Sequence, residues 1–547
     1  MQHASGQPDR DRGSRFFLQV SLAGEVPRIP FARGLSVREI LDHTASRVRS
    51  ACGGIGACGQ CLVRIEAGSG NEPTKTERTV LSPAQIRRGI RLACQFKPSG
   101  DARIIIESTA PKSDLKRLPA GLDPLAFSKR TEDAWLRSHP YGVAVDLGTT
   151  QIRISFFNLI KSRWISGRIG LNPQSVLGAD VLTRLEKARE SVDSARQMSM
   201  LATEAIGKAL QDISIDACCD LRQIGHLTVV GNTAMLALFI NRNQDLLLQP
   251  EYWIRHIDCT PADTRQLASG WGLAADARIE IVQPMAGFVG SDLLAGVLAT
   301  DLIQGPAGSL LIDFGTNSEM ALWNGAQLWI SSAAGGPAFE GCGISCGMSA
   351  EEGAAYRAEL DASSSRFDLQ VFGGGPARGL CGSGLLDAIA GLVGVGVLKT
   401  NGRFQNNGYG QGWVVAKENP EIYLRPGDID AFQRAKAAIG AGIMTLLKIT
   451  DMVPKDLRRI CVCGAFGHFL HIANAQAVGL VPKIPPDKIE LFSQAALTGC
   501  EILLFSAAHD AILDDYRNRA RIINMAAFPE FENLFFQNLY LRPIHME

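Results

Sequence analysis

Residues 52–61 read CGGIGACGQC, and a fourth cysteine, Cys94, follows after thirty-two further residues. Three thiolates on one glycine-rich loop plus a distant fourth are the ligand pattern of a ferredoxin-type two-iron, two-sulfur cluster. The glycines suit this role, because a loop around a cluster needs turns with positive φ and backbone N–H groups near the sulfurs. A four-cysteine zinc site is the alternative, but such sites usually use two Cys-x-x-Cys hooks, and only one is present here. The predicted cluster ligands are Cys52, Cys58, Cys61 and Cys94.

The segments around this loop predict a ferredoxin β-grasp domain over residues 16–108. Alternating apolar residues predict a hairpin over 16–31. Ser36 and Glu39 form a capping box, which starts a helix that we expect to run to about Thr44. The remaining predicted elements are a strand over 62–65, a helix over 83–91 that leads to Cys94, and a closing strand over 103–106.

The composition limits the class of protein. A chain of 547 residues is too long for one hydrophobic core, so several domains are expected. Lys+Arg and Asp+Glu are both 55, so no net charge favours nucleic acid or an anionic membrane as a partner. The chain has no apolar run of transmembrane length and no signal-peptide core, which predicts a cytoplasmic protein. Of thirteen cysteines, the nine beyond the cluster ligands are an odd number, which favours reduced thiols over a disulfide framework.

Two segments are predicted to lie outside the compact domains. Residues 1–15 are polar and predict a disordered tail. Residues 109–140 contain several prolines and charges, which predict a linker with one short helix. We expect this linker to act as a tether that lets the small domain swing, and a fixed spacer is the alternative.

A second pattern, GVAVDLGTT, occupies residues 142–150. An apolar strand runs into Asp146, and Gly148 allows a tight turn before the next strand. The hydroxyls of Thr149 and Thr150, with nearby backbone N–H groups, can hold phosphate oxygens, and Asp146 can hold Mg²⁺ through water. Because a strand follows the turn, this is not a Walker loop, which leads into a helix.

The same pattern recurs as LLIDFGTN at residues 310–317, where Asp313 lies 167 residues after Asp146. Two copies predict two related halves that face one nucleotide. Further glycine loops follow apolar strands, and such loops can lie against adenosine. Ordinary turns of a large α/β domain are the alternative for any one of them. The expected nucleotide-binding residues of this half are Gly315, Thr316, Asn317, Gly382, Ser383, Gly384, Gly464, Ala465, Phe466 and Gly467.

These motifs resemble a known family. Residues 146–150, 313–317 and 464–467 are similar to the two phosphate motifs and the adenosine motif of the actin, sugar-kinase and heat-shock-chaperone ATPase superfamily. A narrower resemblance covers residues 16–535, because a ferredoxin domain and a linker precede that ATPase. The chain then resembles the reductive activators of corrinoid proteins. Further motifs that carry this resemblance lie at residues 172–174, 178–181, 335–341, 382–387 and 495–499.

The resemblance implies a multidomain α+β and α/β protein. It implies a ferredoxin domain, a linker, and a duplicated actin-like ATPase fold with a middle domain over 141–304 and a C-terminal domain over 305–547. The implied activity is ATP-dependent transfer of one electron from the cluster to Co(II) of a corrinoid protein, restoring Co(I). The implied cofactors are the two-iron, two-sulfur cluster, ATP and Mg²⁺, with Asp146 and Asp313 positioning the metal.

Other functions stay open from the sequence. A small-molecule kinase of the same superfamily would explain the ATPase motifs but leave the ferredoxin domain idle. An ATP-dependent electron donor to a radical dehydratase, or a redox-sensing regulatory protein, are further alternatives. The implied partners are a corrinoid protein and an electron donor. Their identities are not fixed by the sequence, nor is the oligomeric state, for which a homodimer is open.

Overall fold

A computed structural model of the chain describes most of its residues. The predicted tail, most of the predicted linker, and Cys52, Cys58, Thr316 and Ala465 lie outside the described residues. Contacts divide the chain into two units, residues 1–112 with 175–179 and residues 113–174 with 180–547. The described residues are 16–21, 27–31, 33–41, 44, 46, 48, 56, 59–107, 116–117, 134–178, 180–315, 317–333, 335, 337–341, 343–361, 363, 365–405, 412–417, 421–464, 466–506 and 509–544.

The first unit is a five-stranded sheet with short helices. Its elements are β1 (Phe16–Ser21), β2 (Arg28–Phe31), α1 (Val37–Leu41), β3 (Leu62–Ala67), α2 (Lys75–Val80), α3 (Pro83–Arg87), β4 (Ile90–Leu92) and β5 (Ala102–Ile106). The strand order is β2-β1-β5-β3-β4, with β1 and β5 parallel and the other neighbours antiparallel. Leu18, Val63 and Ile104 are fully buried, so alternate residues of adjacent strands form one core. This is the predicted β-grasp.

Two predicted helices of this unit are shorter in the structure. Helix α1 begins after Ser36 as expected, but it ends at Leu41, and Thr44 is not helical. The helix predicted over 83–91 is wrong at its C-terminal end, because α3 ends at Arg87. Gly89 adopts a left-handed φ of 77°, which ends the helical path and turns the chain into β4. Cys94 therefore follows a strand rather than a helix.

The second unit contains two six-stranded sheets and two small ones. Its strands are β6 (Lys116–Arg117), β7 (Tyr141–Leu147), β8 (Gln151–Asn158), β9 (Arg163–Leu171), β10 (Ile224–Gly231), β11 (Arg278–Ile281), β12 (Ser309–Phe314), β13 (Ser318–Trp323), β14 (Leu328–Ala333), β15 (Ala354–Asp361), β16 (Arg366–Val371), β17 (Gly379–Leu380), β18 (Trp413–Ala416), β19 (Ile422–Leu424), β20 (Arg459–Cys463), β21 (Ile489–Phe492) and β22 (Ala520–Ile522).

The two large sheets share the topology of five strands and differ in the sixth, because β6 pairs antiparallel with β9 whereas β22 pairs parallel with β14. Their orders are β11-β10-β7-β8-β9-β6 and β21-β20-β12-β13-β14-β22. In each sheet the first strand of the motif, β7 or β12, lies between a parallel neighbour and an antiparallel hairpin partner. The duplicated fold expected from the two motif copies is therefore confirmed.

Helices cover these sheets and join the halves. They are α4 (Ala134–Ser138), α5 (Val181–Arg189), α6 (Val192–Ala217), α7 (Thr233–Ile240), α8 (Thr264–Gly270), α9 (Ser291–Ala299), α10 (Gly382–Gly394), α11 (Pro426–Ile449), α12 (Ile472–Ala477), α13 (Ala495–Phe505), α14 (His509–Arg519) and α15 (Phe531–Asn538). One apolar core contains Ala144 of β7, Leu311 of β12 and Leu497 of α13, so the two halves pack on shared helices. No helix among the described residues is long and apolar enough to cross a bilayer.

Parts of the predicted linker belong to the second unit. Strand β6 pairs with β9, with Lys116 opposite Ile169. Helix α4 is attached through Trp135, whose Nε1 donates a hydrogen bond to Asp276 at 2.8 Å. The structure thus differs from a tether that runs over the whole of residues 109–140, because both elements are fixed to the second unit.

Candidate nucleotide cleft and iron–sulfur loop

Two of the four predicted cluster ligands are described, and they lie together. The Sγ atoms of Cys61 and Cys94 are 3.4 Å apart. Two sulfurs on one tetrahedral metal with bonds of about 2.3 Å would lie about 3.7 Å apart. The spacing therefore suits two ligands of a shared iron. Cys61 is buried, whereas Cys94 is partly exposed.

The segment that carries Cys94 is held by a buried ion pair. Glu77 of α2 is fully buried, and its carboxylate accepts hydrogen bonds from Arg91 Nε and Nη2, both at 2.8 Å. It also accepts the backbone N–H groups of Thr74 at 2.8 Å and Leu92 at 3.0 Å. Burial alone would raise the pKa of Glu77, but these donors lower it below its usual value. The carboxylate thus fixes β4 two residues before Cys94.

In the second unit, the predicted phosphate and adenosine loops converge on one cleft. The strands β7 and β12 end at this cleft with Asp146 and Asp313, and the turns that follow form its walls. Gly384 and Gly467 are described but do not line it. The predicted residues that line the cleft are Asp146, Gly148, Thr149, Thr150, Asp313, Gly315, Asn317, Gly382, Ser383, Gly464 and Phe466.

The first phosphate loop is supported by a buried side chain. Asn172 is fully buried, and its Nδ2 donates to the carbonyl of Gly148 at 2.9 Å. Its backbone N–H donates to the carbonyl of Thr150 at 2.8 Å. The turn itself closes through the N–H of Gly148, which donates to the carbonyl of Gln151 at 3.0 Å. The Asn-Pro-Gln motif at 172–174 therefore shapes this loop.

The second phosphate loop and the adenosine loop approach each other closely. Gly464 has a left-handed φ of 90°, and a Cβ there would meet the carbonyl of Phe314 and lie 2.9 Å from Asp313 Oδ1. The ring centroids of Phe314 and Phe466 are 5.3 Å apart. Only glycine at position 464 therefore lets the two loops share one wall of the cleft.

Five carboxylates line the cleft, and four of them, Asp146, Asp292, Asp313 and Glu319, interact electrostatically with one another. Burial and the charge of Asp146 raise the pKa of Asp313 to about 6. Burial, with the charges of Asp146 and Asp313, raises the pKa of Asp292. Burial, with the charges of Asp292 and Asp313, raises the pKa of Glu319 well above its usual value. The charged forms of these carboxylates are therefore disfavoured in this site, and a bound cation would favour them.

Asp146 differs from the other three, because it is hydrogen-bonded to a cation. Arg153 Nη1 donates to Asp146 Oδ2 at 3.0 Å, across the hairpin of β7 and β8. Burial still raises the pKa of Asp146, although Arg153 acts in the opposite direction. Among the described residues, no three His, Cys, Asp or Glu side chains converge as a direct metal-binding group. The geometry therefore suits a cation held partly through water.

Sequence reasoning missed three acidic residues of the cleft. Asp292 lies in the first turn of α9, and Glu319 is the second residue of β13. Glu340 ends a 3₁₀ helix over Pro337–Glu340 and lies opposite the first phosphate loop. Glu319 could have been found, because it follows the second motif at nearly the spacing at which Arg153 follows the first. The other two reach the cleft only through tertiary packing.

Three family models match this chain. The 2Fe-2S iron-sulfur cluster binding domain matches residues 22–99. The middle region of RACo matches residues 141–305, and the C-terminal domain of RACo, described as the ASKHA domain, matches residues 307–547.

Individual proteins are similar over most of their length. The chain is 29% identical to the corrinoid activation enzyme RamQ of Eubacterium limosum over 73% of this chain and 70% of that protein. It is 25% identical to the [Co(II) methylated amine-specific corrinoid protein] reductase of Methanosarcina barkeri over 72% of this chain and 76% of that protein. A solved reductive activator for corrinoid,iron-sulfur protein shares its fold, with a TM-score of 0.64 at 23% identity over 97% of this chain and 99% of that one. The chain belongs to the family of reductive activators of corrinoid proteins.

Proposed function

We propose that this protein is an ATP-dependent reductive activator, which passes one electron from its two-iron, two-sulfur cluster to Co(II) of a corrinoid protein and so restores Co(I). The observation that carries this proposal is the joining, in one chain, of a ferredoxin domain with a duplicated ATPase fold. Relatives that cover most of the chain and are named for corrinoid activation and reduction support it. A small-molecule kinase would leave the ferredoxin domain without a role.

ATP has a physical role in this scheme. Moving one electron uphill by 100 mV costs about 2.3 kcal/mol. A coupling free energy of about 1–3 kcal/mol between two sites is typical of proteins that change conformation on binding a ligand. The free energy released when the two halves of the cleft close on a nucleotide is therefore large enough to drive a modest uphill electron transfer.

The residues of the cleft fit a division of roles. Gly148, Thr149 and Thr150 would hold phosphate oxygens on one side, and residues 315–317 would do so on the other. Mg²⁺ would lie near Asp313 and Glu319, two carboxylates that line the cleft and lie opposite each other across the hairpin of β12 and β13. Adenosine would lie along Gly382, Ser383 and Gly464, near the aromatic ring of Phe466. The domain division proposed from the sequence, with the middle domain starting at 141 and the C-terminal domain at 305, fits these roles.

The test is reduction of a purified corrinoid protein held as Co(II). With a chemical reductant of low potential, Mg²⁺ and ATP, we expect the absorption of Co(I) to appear, and we expect far less without ATP. Equal rates with and without ATP would contradict the proposed coupling. Phosphorylation of a small molecule in the absence of any corrinoid protein would favour the kinase instead.

The cluster has its own test. The anaerobically purified protein should hold about two irons per chain. Cys61→Ser should lower the iron content and abolish Co(II) reduction while ATP hydrolysis continues, because the cleft lies in the other unit. Cys218→Ser is the matched control, since Cys218 is an exposed thiol at the end of α6. A zinc-loaded, iron-free wild type would contradict the cluster assignment. We further propose that a separate electron donor reduces the cluster and that the protein forms a homodimer.

A further inference from the structure

Glu340 and Thr150 face each other across the cleft. Thr150 belongs to the first phosphate loop, whereas Glu340 belongs to the C-terminal half, 190 positions later. The Thr150 hydroxyl donates to both carboxylate oxygens of Glu340, at 2.8 Å to Oε1 and 2.9 Å to Oε2. This contact therefore joins the two halves at the point where the phosphates of a nucleotide would lie.

A hydroxyl has one proton to donate. If Thr150 donates it to Glu340, it cannot donate it to a phosphate oxygen at the same time. A carboxylate at this distance would also repel a polyphosphate, and the repulsion would grow with the number of phosphate charges. Phosphate binding by Thr150 and the bond to Glu340 are therefore mutually exclusive.

A buried cation lies in the same neighbourhood. Arg184 of α5 is fully buried, and burial lowers its pKa to about 10, while the charges of Asp180 and Glu340 act in the opposite direction. A phosphate group that displaced Glu340 would supply negative charge in its place. The exchange would thus keep a counter-charge near Arg184, which makes displacement of Glu340 less costly than loss of a charge from a buried pair.

The position of Glu340 is also tied to the adenosine side. Its neighbour Phe339 is buried, and the ring centroids of Phe339 and Phe466 are 5.3 Å apart. Gly341, with φ of 81°, turns the chain immediately after Glu340, and a Cβ there would meet the backbone of Met348. Movement of Glu340 would therefore be transmitted to the loop that carries Phe466.

We propose that Glu340 is a positioning residue of the nucleotide site, which holds the Thr150 hydroxyl across the cleft and is displaced by the terminal phosphates of ATP. The inference deepens the proposed function, because it depends on ATP binding in this cleft. Displacement of the Glu340 carboxylate would then be the step by which phosphates, rather than adenosine, change the contact between the two halves.

The experiment measures the affinity of Glu340→Gln for ATP, ADP and AMP by calorimetry in the presence of Mg²⁺. Removing the charge should strengthen ATP binding about tenfold and ADP binding about threefold, with AMP unchanged, because repulsion scales with phosphate charge. Glu352→Gln, which neutralises an exposed carboxylate of the same half, is the matched control and should change none of the three. In a Thr150→Val background, Glu340→Gln should strengthen ATP binding less, because the two residues act through one bond.

Other results would contradict the role proposed for Glu340 or, separately, the proposed function. Unchanged or weaker ATP binding by Glu340→Gln would overturn the proposal, as would a loss of hydrolysis with unchanged affinity, since Glu340 would then be a catalytic base. If Glu340→Gln does not fold, Glu340→Asp keeps the charge but shortens the side chain, and it should strengthen ATP binding by a smaller factor. A wild type that binds no ATP would instead contradict the proposed function.

Discussion

The two copies of the strand–Asp–turn–strand motif have the same strand pairing, but the residues opposite their aspartates carry opposite charges. In the first copy, Asp146 on β7 is paired across the hairpin with Arg153 on β8. In the second copy, Asp313 on β12 is paired across the hairpin with Glu319 on β13. One position of the duplicated fold therefore holds a cation in one copy and a carboxylate in the other.

This difference separates two roles that the motifs alone do not distinguish. A neutralised aspartate can order a phosphate loop without a metal, whereas two facing carboxylates in a buried site must either bind protons or be neutralised by a cation. We infer that the second copy is the metal side of the cleft and that the first is mainly a phosphate side. The predictions below test that asymmetry.

The largest expected effect is on ATP hydrolysis. Asp313→Asn keeps the shape and removes a charge that would position Mg²⁺, so we expect hydrolysis to fall about a hundredfold, the scale of losing one preorganised electrostatic contact. Asp146→Asn should cost about tenfold, since Arg153 already neutralises that carboxylate. Steady-state hydrolysis at saturating Mg²⁺ measures both, and the absorption of the cluster is the control. Equal losses in the two variants would contradict the asymmetry.

Asp313→Asn should stabilise the folded protein when no metal is bound. The folded-state pKa of Asp313 is about 6, above its ordinary 3.8, so this group's contribution to the free energy of unfolding is lost as pH rises from about 4 to 6. Asparagine does not titrate, so Asp313→Asn should be more stable than wild type at pH 7, by at most about 3 kcal/mol, and similar at pH 4. Thermal melts at both pH values, with chelator, measure this. A less stable variant at pH 7 would show that the carboxylate is satisfied by the protein alone.

Mg²⁺ affinity should respond to the partner of Asp313. Glu319→Gln removes one of two facing carboxylates and should weaken Mg²⁺ binding about tenfold in the presence of ATP. Titration of hydrolysis with Mg²⁺ reports the change. Glu359→Gln, on the exposed side of β15, is a suitable control. A change in maximal rate without a change in Mg²⁺ dependence would assign Glu319 another role.

The smallest effect is expected for Arg153→Lys. Lysine keeps the charge but lacks the fork of donors with which Arg153 contacts both Asp146 and Gln151. Arg153→Lys should therefore lower hydrolysis only about threefold, whereas Arg153→Glu, which makes the first copy resemble the second, should lower it far more. If both variants behave alike, the charge of Arg153 is not what distinguishes the copies.

The parts of the site that could be predicted were those specified by short-range sequence. Gly148 and Gly315 mark turns that any strand–turn–strand unit requires, so both loops were found from spacing alone. Glu340 has no local signal, because its partner Thr150 is 190 positions away in the chain. The helix predicted over 83–91 extended too far, because Gly89 adopts a left-handed φ and the spacing of apolar residues carries no information about such a turn.

The buried Glu77–Arg91 pair has a consequence for electron transfer. A redox centre exchanges electrons fastest when its surroundings need little rearrangement between oxidation states. Cys94 lies two residues after the end of β4, and three hydrogen bonds from Arg91 and Leu92 to Glu77 hold β4 to α2. The backbone beside Cys94 is therefore held in place by hydrogen bonds whatever the oxidation state of the cluster. We expect the reorganisation energy on the Cys94 side to be low, so that Glu77→Gln would slow electron transfer even where the cluster still assembles.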